Sequence, residues 1–331
     1  MKTKNFLNIL ITGANGFIGN AVMQELLQKN NSNNLINIIE LSSKVSTNIC
    51  NNFPRENVIF LSHNNYNFDE NYLFNNGCEN VEVILHIGAF TPKFTADANN
   101  INLCSKNISN TLNLINSKLP NLKKIIYIST LDVYAETNEI ISENTLTNPI
   151  SLYGWSKLYS EKIIENFAQQ HNLLYQILRL GHVFGEGEEK YKKILPLTIK
   201  NVLTNNDINI FGNGEDIRTF IYIKDVAKAI VNAIFLKEHN VINNIINIVG
   251  EQQISINDLV KKINEISWKI CKKQSKINYV EVANQINRNL IFDNTKLKQI
   301  LLPNYNLTPL EKGLENEILY FNNLYNVYTK I

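Results

Sequence analysis

The 331-residue chain has only four cysteines, Cys50, Cys78, Cys104 and Cys271, and they are widely scattered. None makes a CxxC pair or stands at metal-ligand spacing from a histidine. That excludes a disulfide framework and a zinc centre, and leaves reduced thiols and no metal site as the expectation. An excess of one charge is also missing: 32 Lys and Arg against 30 Asp and Glu give a net charge of +2. No basic face points to nucleic acid and no polybasic run to an anionic membrane. No apolar stretch approaches the ~20 residues needed to cross a bilayer. The opening "MKTKNFLNILITGANG" lacks a small-residue cleavage site and runs straight into a glycine turn, so it reads as a first strand and not as a leader, in a cytoplasmic protein.

What is present is ordinary for a folded soluble protein. The composition is 44% hydrophobic and 19% charged, and apolar periodicity continues through the abundant asparagines. The length allows one domain with a large appendage, or two lobes. In the first half, short apolar runs at 8–12, 35–41, 58–61, 81–88, 124–129 and 174–180 alternate with helical spacing at 17–29, at about 97–118 and again after 150. Strand and helix repeated this way imply an α/β fold, a Rossmann-type doubly wound parallel sheet with helices on both faces. After residue 180 short strands such as "INIF" and "TFIYI" mix with helices at about 225–237 and 256–272. This predicts a dinucleotide-binding domain over 1–180, rejoined by later segments at about 214–250, and a smaller mixed α/β substrate lobe over 181–331, packed as one unit around a cleft.

"ITGANGFIGNAV" places Gly13, Gly16 and Gly19 between a predicted strand and a predicted helix. That context lets backbone N–H groups approach a pyrophosphate at the positive end of the helix, with Asn15, Phe17 and Ile18 beside it. The end of the second strand, "NIIELSSK", should select the cofactor. If Leu41 is the last buried residue, Ser42, Ser43 and Lys44 face the ribose and favour the phosphate of NADP; if the register differs by two, Glu40 is an acid for NAD. NADP is the expectation and NAD the alternative.

Tyr153 and Lys157 stand four residues apart in "SLYGWSKLYSEKII", one turn of a helix, so both lie on one face. Alone, that spacing is also what a solvated polar stripe looks like.

Together these segments resemble the extended short-chain dehydrogenase/reductase family of nucleotide-sugar epimerases, reductases and dehydratases. "GANGFIG", "VILHIGAF", "NISNTLNLI", "YISTLDVYAE", "NPISLYGWSKLYSEK", "LRLGHVFGEGE", "FGNGEDIRTFIYIKDVAKAI" and "RNLIFDNTKLKQIL" with "LEKGL" carry the resemblance over nearly the whole chain. It implies that Tyr153 is the general acid/base for a sugar hydroxyl or ketone. Lys157 would lower its pKa and hold the nicotinamide ribose, and Thr130 would orient the reacting oxygen. It implies cofactor contacts at Gly88 and Ala89 and near adenine at Asn64, and diphosphate contacts at Arg218 and Arg288. His86 reads equally as a packed histidine and as a cofactor contact. The expected partner is a nucleotide-diphosphate sugar, and the family commonly dimerises through the helix of Tyr153; Leu158, Ile163 and Phe167 on its far face suit a homodimer.

Two departures narrow the reaction. Leu131–Asp132 replaces the Asp–Glu pair of the dehydratases, and Leu131 cannot protonate a leaving hydroxyl, so 4,6-dehydration is not expected. His182 replaces an asparagine that touches substrate in many epimerases. With NADP favoured, NADPH-dependent reduction of a 4-keto-6-deoxy sugar nucleotide is the leading expectation. An NAD-dependent C4 epimerase is the alternative, and a non-catalytic NAD(P)-sensing protein is the reading of another class.

Overall fold

The computed structural model describes residues 6–30, 35–43, 57–63, 66–236, 243–282 and 289–328. Cys50, Lys44, Asn64 and Arg288 lie outside them. The strands are β1 (Leu7–Thr12), β2 (Ile36–Ser42), β3 (Val58–Ser62), β4 (Val83–His86), β5 (Lys124–Thr130), β6 (Leu174–Leu180), β7 (His182–Phe184), β8 (Ile208–Phe211), β9 (Ile217–Tyr222), β10 (Asn244–Ile248), β11 (Gln253–Ser255) and β12 (Ile277–Val280). The helices are α1 (Phe17–Lys29), α2 (Tyr72–Asn75), α3 (Ile101–Ile115), α4 (Leu152–Gln170), α5 (Ile194–Leu203), α6 (Ile223–Phe235), α7 (Ile256–Cys271) and α8 (Leu310–Tyr328).

Seven strands form one sheet in the order β10-β6-β5-β4-β1-β2-β3, every pair parallel. Apart from the edge strand β3, its strands are mostly buried on both faces, which is why they read as apolar runs. Side chains alternate across the pleat: Ile9 and Ile11 join Val22, Leu26 and Ile230 on one face, while Leu10 joins Leu114 and Ile164 on the other. The strand order reverses between β1 and β4. The loops leaving β1 and β4 therefore diverge there and open a crevice at the carboxyl edge of the sheet. β10 returns from the later part of the chain to the sheet's edge, and Lys124 at the start of β5 ties it down further, donating Nζ to the carbonyls of Ala233, Ile234 and Leu236 at the end of α6.

The remaining strands form a three-stranded sheet, β11-β9-β7, and a two-stranded pair, β12-β8, beside α5, α7 and α8. The predicted helix at 97–118 is divided. Residues Thr95–Asn99 make a 3-10 turn, and Asn100, extended at φ −78° and ψ 107°, caps α3 by accepting a hydrogen bond from Leu103 N. The predicted strand at 81–88 shrinks to Val83–His86.

Ser151 caps α4 in the same way, accepting from Gly154 N. The helix then presents its faces differently from the far-face expectation. Leu158 packs with Val133, Tyr134 and Ile141, and Ile163 and Phe167 pack against the sheet, so all three serve this chain's own core. The exposed apolar residues of α4 are Leu152, Trp155 and Tyr159, and α3, which packs against α4, exposes Ile101 and Leu112.

Candidate active site

The turn after β1 closes with Gly16 N donating to Gly13 O. Gly13 has φ +74°, and a Cβ there would lie 2.6 Å from the Gly88 backbone, so only glycine lets the loops after β1 and β4 touch. Gly16 caps α1 without a side chain, which leaves the helix's first N–H groups facing the crevice, and Gly19 is buried in the first turn beyond Phe17 and Ile18. Asn15 reaches across to β2, donating to Glu40 Oε1 and Ser42 Oγ, each at 2.8 Å.

Leu41 is fully buried and Ser42 follows it, as in the first register considered; Ser43 is exposed beyond the strand. Yet period-two alternation turns Glu40 to the same side as Ser42. Glu40 is buried and its Oε2 has no hydrogen-bond partner. Burial lifts its carboxyl to about 7 against the opposing hydrogen bond of Asn15. A buried carboxylate with one oxygen unpartnered, at this end of β2, fits the hydroxyl donors of a ribose and repels an added phosphate. The close glycine turn, the open helix terminus and this acid fit a nicotinamide dinucleotide.

His86 is packed rather than open to the crevice: Thr12 Oγ1 and Thr111 Oγ1 lie 2.7 and 3.1 Å from its two ring nitrogens. Burial and the Lys157 charge push it down to about 3, so it is neutral.

Thr130 ends β5, and Tyr153 and Lys157 project from α4 toward it. Gly154 allows this, because a Cβ there would meet Asp132 O at 2.4 Å. Tyr153 is buried, which raises its pKa first of all; the Asp132 charge raises it further, while hydrogen bonds from Thr91 and Thr130 pull it down. Lys157 Nζ donates to Ile128 O at 2.6 Å and sits 4.2 Å from the Tyr127 ring centroid. Burial lowers the Lys157 ammonium to about 7, opposed by the Glu161 charge. The expected depression of Tyr153 by Lys157 is therefore not what dominates here; the lysine lies against β5, and burial with Asp132 sets the phenol. Thr130 Oγ1 also donates to Asp132 Oδ2 at 3.2 Å. A phenol and a hydroxyl side by side, with an ammonium one helical turn away, can hold an alcohol oxygen and move its proton.

Beyond Asp132 lies a cavity of about 650 Å³, walled by the segment 182–195, by β8 and β9, and by Lys93 and Phe94. It brings together His182 and Arg218. Arg218 is bonded to Ile217 O and to Asp216, both at 2.9 Å. Burial, Arg218 and Lys193 lower His182 to about 4, so its imidazole is neutral, and Nδ1 has no hydrogen-bond partner.

Several residues went unnoticed in the sequence. Lys192 and Lys193 line the cavity, and the Lys193 charge reaches Asp132, His182 and Glu188. The signal was the reversal of charge along "GEGEEKYKK". Glu188 and Glu317, both buried, share a side-chain hydrogen bond, and burial raises both pKa values. Among the described residues no group of three or more His, Cys, Asp or Glu side chains could hold a metal ion, and no helix is long and apolar enough to cross a membrane.

A profile of the NAD dependent epimerase/dehydratase family matches residues 9–249. An uncharacterized UDP-glucose epimerase, YtcB, of Bacillus subtilis is 31% identical over 328 residues, 96% of this chain and 99% of that one. The UDP-glucuronic acid 4-epimerase of Bacillus cereus, solved in complex with NAD, superposes with a TM-score of 0.78 at 28% identity, over 96% of this chain and 100% of that chain. The UDP-glucose 4-epimerase of Thermotoga maritima, solved with UDP-glucose, gives a TM-score of 0.80 at 26% identity over the same shares.

Proposed function

The chain belongs to the NAD dependent epimerase/dehydratase family and is an enzyme of it, and from that premise we propose that it inverts C4 of a nucleotide-diphosphate sugar with a retained NAD. The carrying observation is Glu40. Its unpartnered Oε2 suits a ribose diol, and its charge opposes the 2′-phosphate on which a cycle of NADPH uptake and NADP release depends. Inversion oxidises C4 and then reduces it, so no reductant is consumed. The epimerases solved with NAD and with UDP-glucose support the same reading.

A dinucleotide held by the Gly13–Gly16 turn, the start of α1 and Glu40 would supply a reversible hydride acceptor. The chain's residues manage position and proton. Thr130 holds the C4 oxygen, Tyr153 takes its proton and returns it, and Lys157, one helical turn on, would hold the nicotinamide ribose. Arg218, Lys193 and His182 line the cavity that takes the nucleotide diphosphate, the cations meeting its charge. Leu131 offers no acid for dehydration.

The second reading is NADPH-dependent reduction of a 4-keto-6-deoxy sugar nucleotide, favoured by the Ser42 hydroxyl at the end of β2. The test is incubation of purified protein with UDP-glucose and, separately, UDP-glucuronate, without added cofactor, with NMR of the sugar and mass spectrometry of bound dinucleotide. C4 epimer and retained NAD are expected. No epimer, together with stoichiometric NADPH loss on dTDP-4-keto-6-deoxyglucose, overturns the epimerase in favour of the reductase. The exposed Trp155 and Tyr159 of α4, with Ile101 of α3, support pairing of two copies through these helices.

A further inference from the structure

The loop after β4 runs from Gly88 at the glycine turn to Thr91 at the phenol of Tyr153. Both of its ends are tied to one buried chain of hydrogen bonds. Gly88 N donates to Thr12 Oγ1 at 2.9 Å and to the Thr12 carbonyl at 3.1 Å, and Thr12 Oγ1 lies 2.7 Å from His86 Nδ1. His86 Nε2 lies 3.1 Å from Thr111 Oγ1, which donates to Asn107 O at 2.8 Å. Asn107 grips the far end of the loop, accepting from Phe90 N at 2.7 Å and donating to Phe90 O at 3.2 Å. The same amide donates to Ser156 Oγ at 3.0 Å, and Ser156 donates to the Tyr153 carbonyl at 2.7 Å.

Donor accounting fixes the direction of the whole chain. A carbonyl only accepts, so the Thr111 proton goes to Asn107 O. The Thr111 oxygen must then accept Nε2–H of His86. Nδ1 is left bare and accepts the Thr12 proton, and the Thr12 oxygen accepts Gly88 N–H. The neutral imidazole with its proton on Nε2 completes every link.

We propose that His86, with Thr111 and Asn107, is a positioning residue: its imidazole couples the cofactor loop to the catalytic helix, so that Gly88 and the Thr91–Tyr153 contact keep one register. His86 touches no reacting atom. The chain joins four elements, β1, β4, α3 and α4, through groups that are nearly all buried, and a gap at Thr12 or at Thr111 strands a ring nitrogen of His86.

The test is a double-mutant cycle read on the dissociation constant of NADH by fluorescence, and on kcat where a substrate turns over. Thr12→Val and Thr111→Val break the chain at opposite sides of His86. Each single variant is expected to weaken NADH binding by about tenfold, and the pair no further than either alone, because one gap already frees the imidazole that couples the two ends of the loop. Thr111→Ser, which keeps the hydroxyl, is expected to restore binding to within about twofold. Additive losses in the double variant, or single variants that bind like the parent, overturn the coupling. His86→Leu serves as the single break if either valine variant fails to give a cooperative melt. The binding readout needs no sugar substrate, so it stands apart from the choice between epimerase and reductase.

Discussion

Glu161 accepts two hydrogen bonds from Arg179, from Nη2 at 2.7 Å and from Nε at 3.0 Å, inside the contact between α4 and β6. Ser129 donates to the same carboxylate, and its neighbours in β5 are Ile128, whose carbonyl takes Lys157, and Thr130. One buried carboxylate thus anchors the strand that carries Thr130 to the helix that carries Tyr153 and Lys157.

Removing one partner leaves the other charge buried and alone. Arg179→Met is expected to cost about 3–5 kcal/mol of stability, read as a lower urea midpoint at unchanged slope. Glu161→Gln keeps acceptor capacity on one side and should cost less. A loss below about 1 kcal/mol in Arg179→Met would show that the pair anchors nothing.

Glu40 gives a pH dependence with a definite sign. Its carboxyl is raised from 4.5 to about 7 in the fold. The folded protein therefore keeps a proton that the unfolded chain has already lost, and stability falls as pH rises from about 4.5 to about 7. Because the site opens on one side to the crevice, a loss of only about 1–2 kcal/mol is expected from this group. Glu188 titrates in the same direction, so the comparison is between the parent and Glu40→Gln. The variant should show a flatter stability profile in cofactor-free protein. It should also weaken NAD by about tenfold while weakening NADP less; an unchanged NAD to NADP ratio would remove Glu40 from cofactor choice.

Tyr153→Phe is expected to lower kcat by about 10²–10⁴-fold while the bound dinucleotide measured by mass spectrometry stays the same. Burial and Asp132 hold this phenol above its ordinary range. Oxidation of the sugar needs the phenolate, so activity should decline on the acidic side. Asp132→Asn removes the negative charge that raises the phenol and should move that limb to lower pH. A Tyr153→Phe enzyme with parental turnover would assign the proton transfer elsewhere.

Much of this site was legible because its signals are local. The glycine turn, its strand and its helix lie within "NILITGANGFIGNAV", and Tyr153 and Lys157 within one helical turn. The cofactor preference was harder, since it depends on which way a strand residue faces. Leu41 is the last buried position as expected, but Glu40 and Ser42 share a face, so both readings of the register named a residue on that face. The relay through His86 was not legible at all. Thr12, His86 and Thr111 are 74 and 25 residues apart along the chain, and only the parallel pairing of β1 with β4 under α3 brings them together. The cavity lysines were missed for the opposite reason: a run such as "KYKK" looks like a solvated surface until β7 and α5 fold its lysines over the cleft.

Lys193 tests that cleft directly. It stands at the start of α5, 5.0 Å from the Tyr191 ring centroid, and its charge acts on Asp132, His182 and Glu188 at once. A nucleotide diphosphate entering the cavity meets this ammonium and Arg218, and charge-assisted bonds of that kind contribute about 1.5–3 kcal/mol. Lys193→Met is therefore expected to raise KM for the nucleotide sugar by about 10–100-fold, with kcat within about threefold, because Thr130, Tyr153 and Lys157 are untouched. Removing the cation also lets the His182 pKa rise from about 4, visible in the imidazole NMR titration. Added salt should weaken binding in the parent more than in the variant. A variant with parental KM and the same salt response would place the diphosphate away from α5.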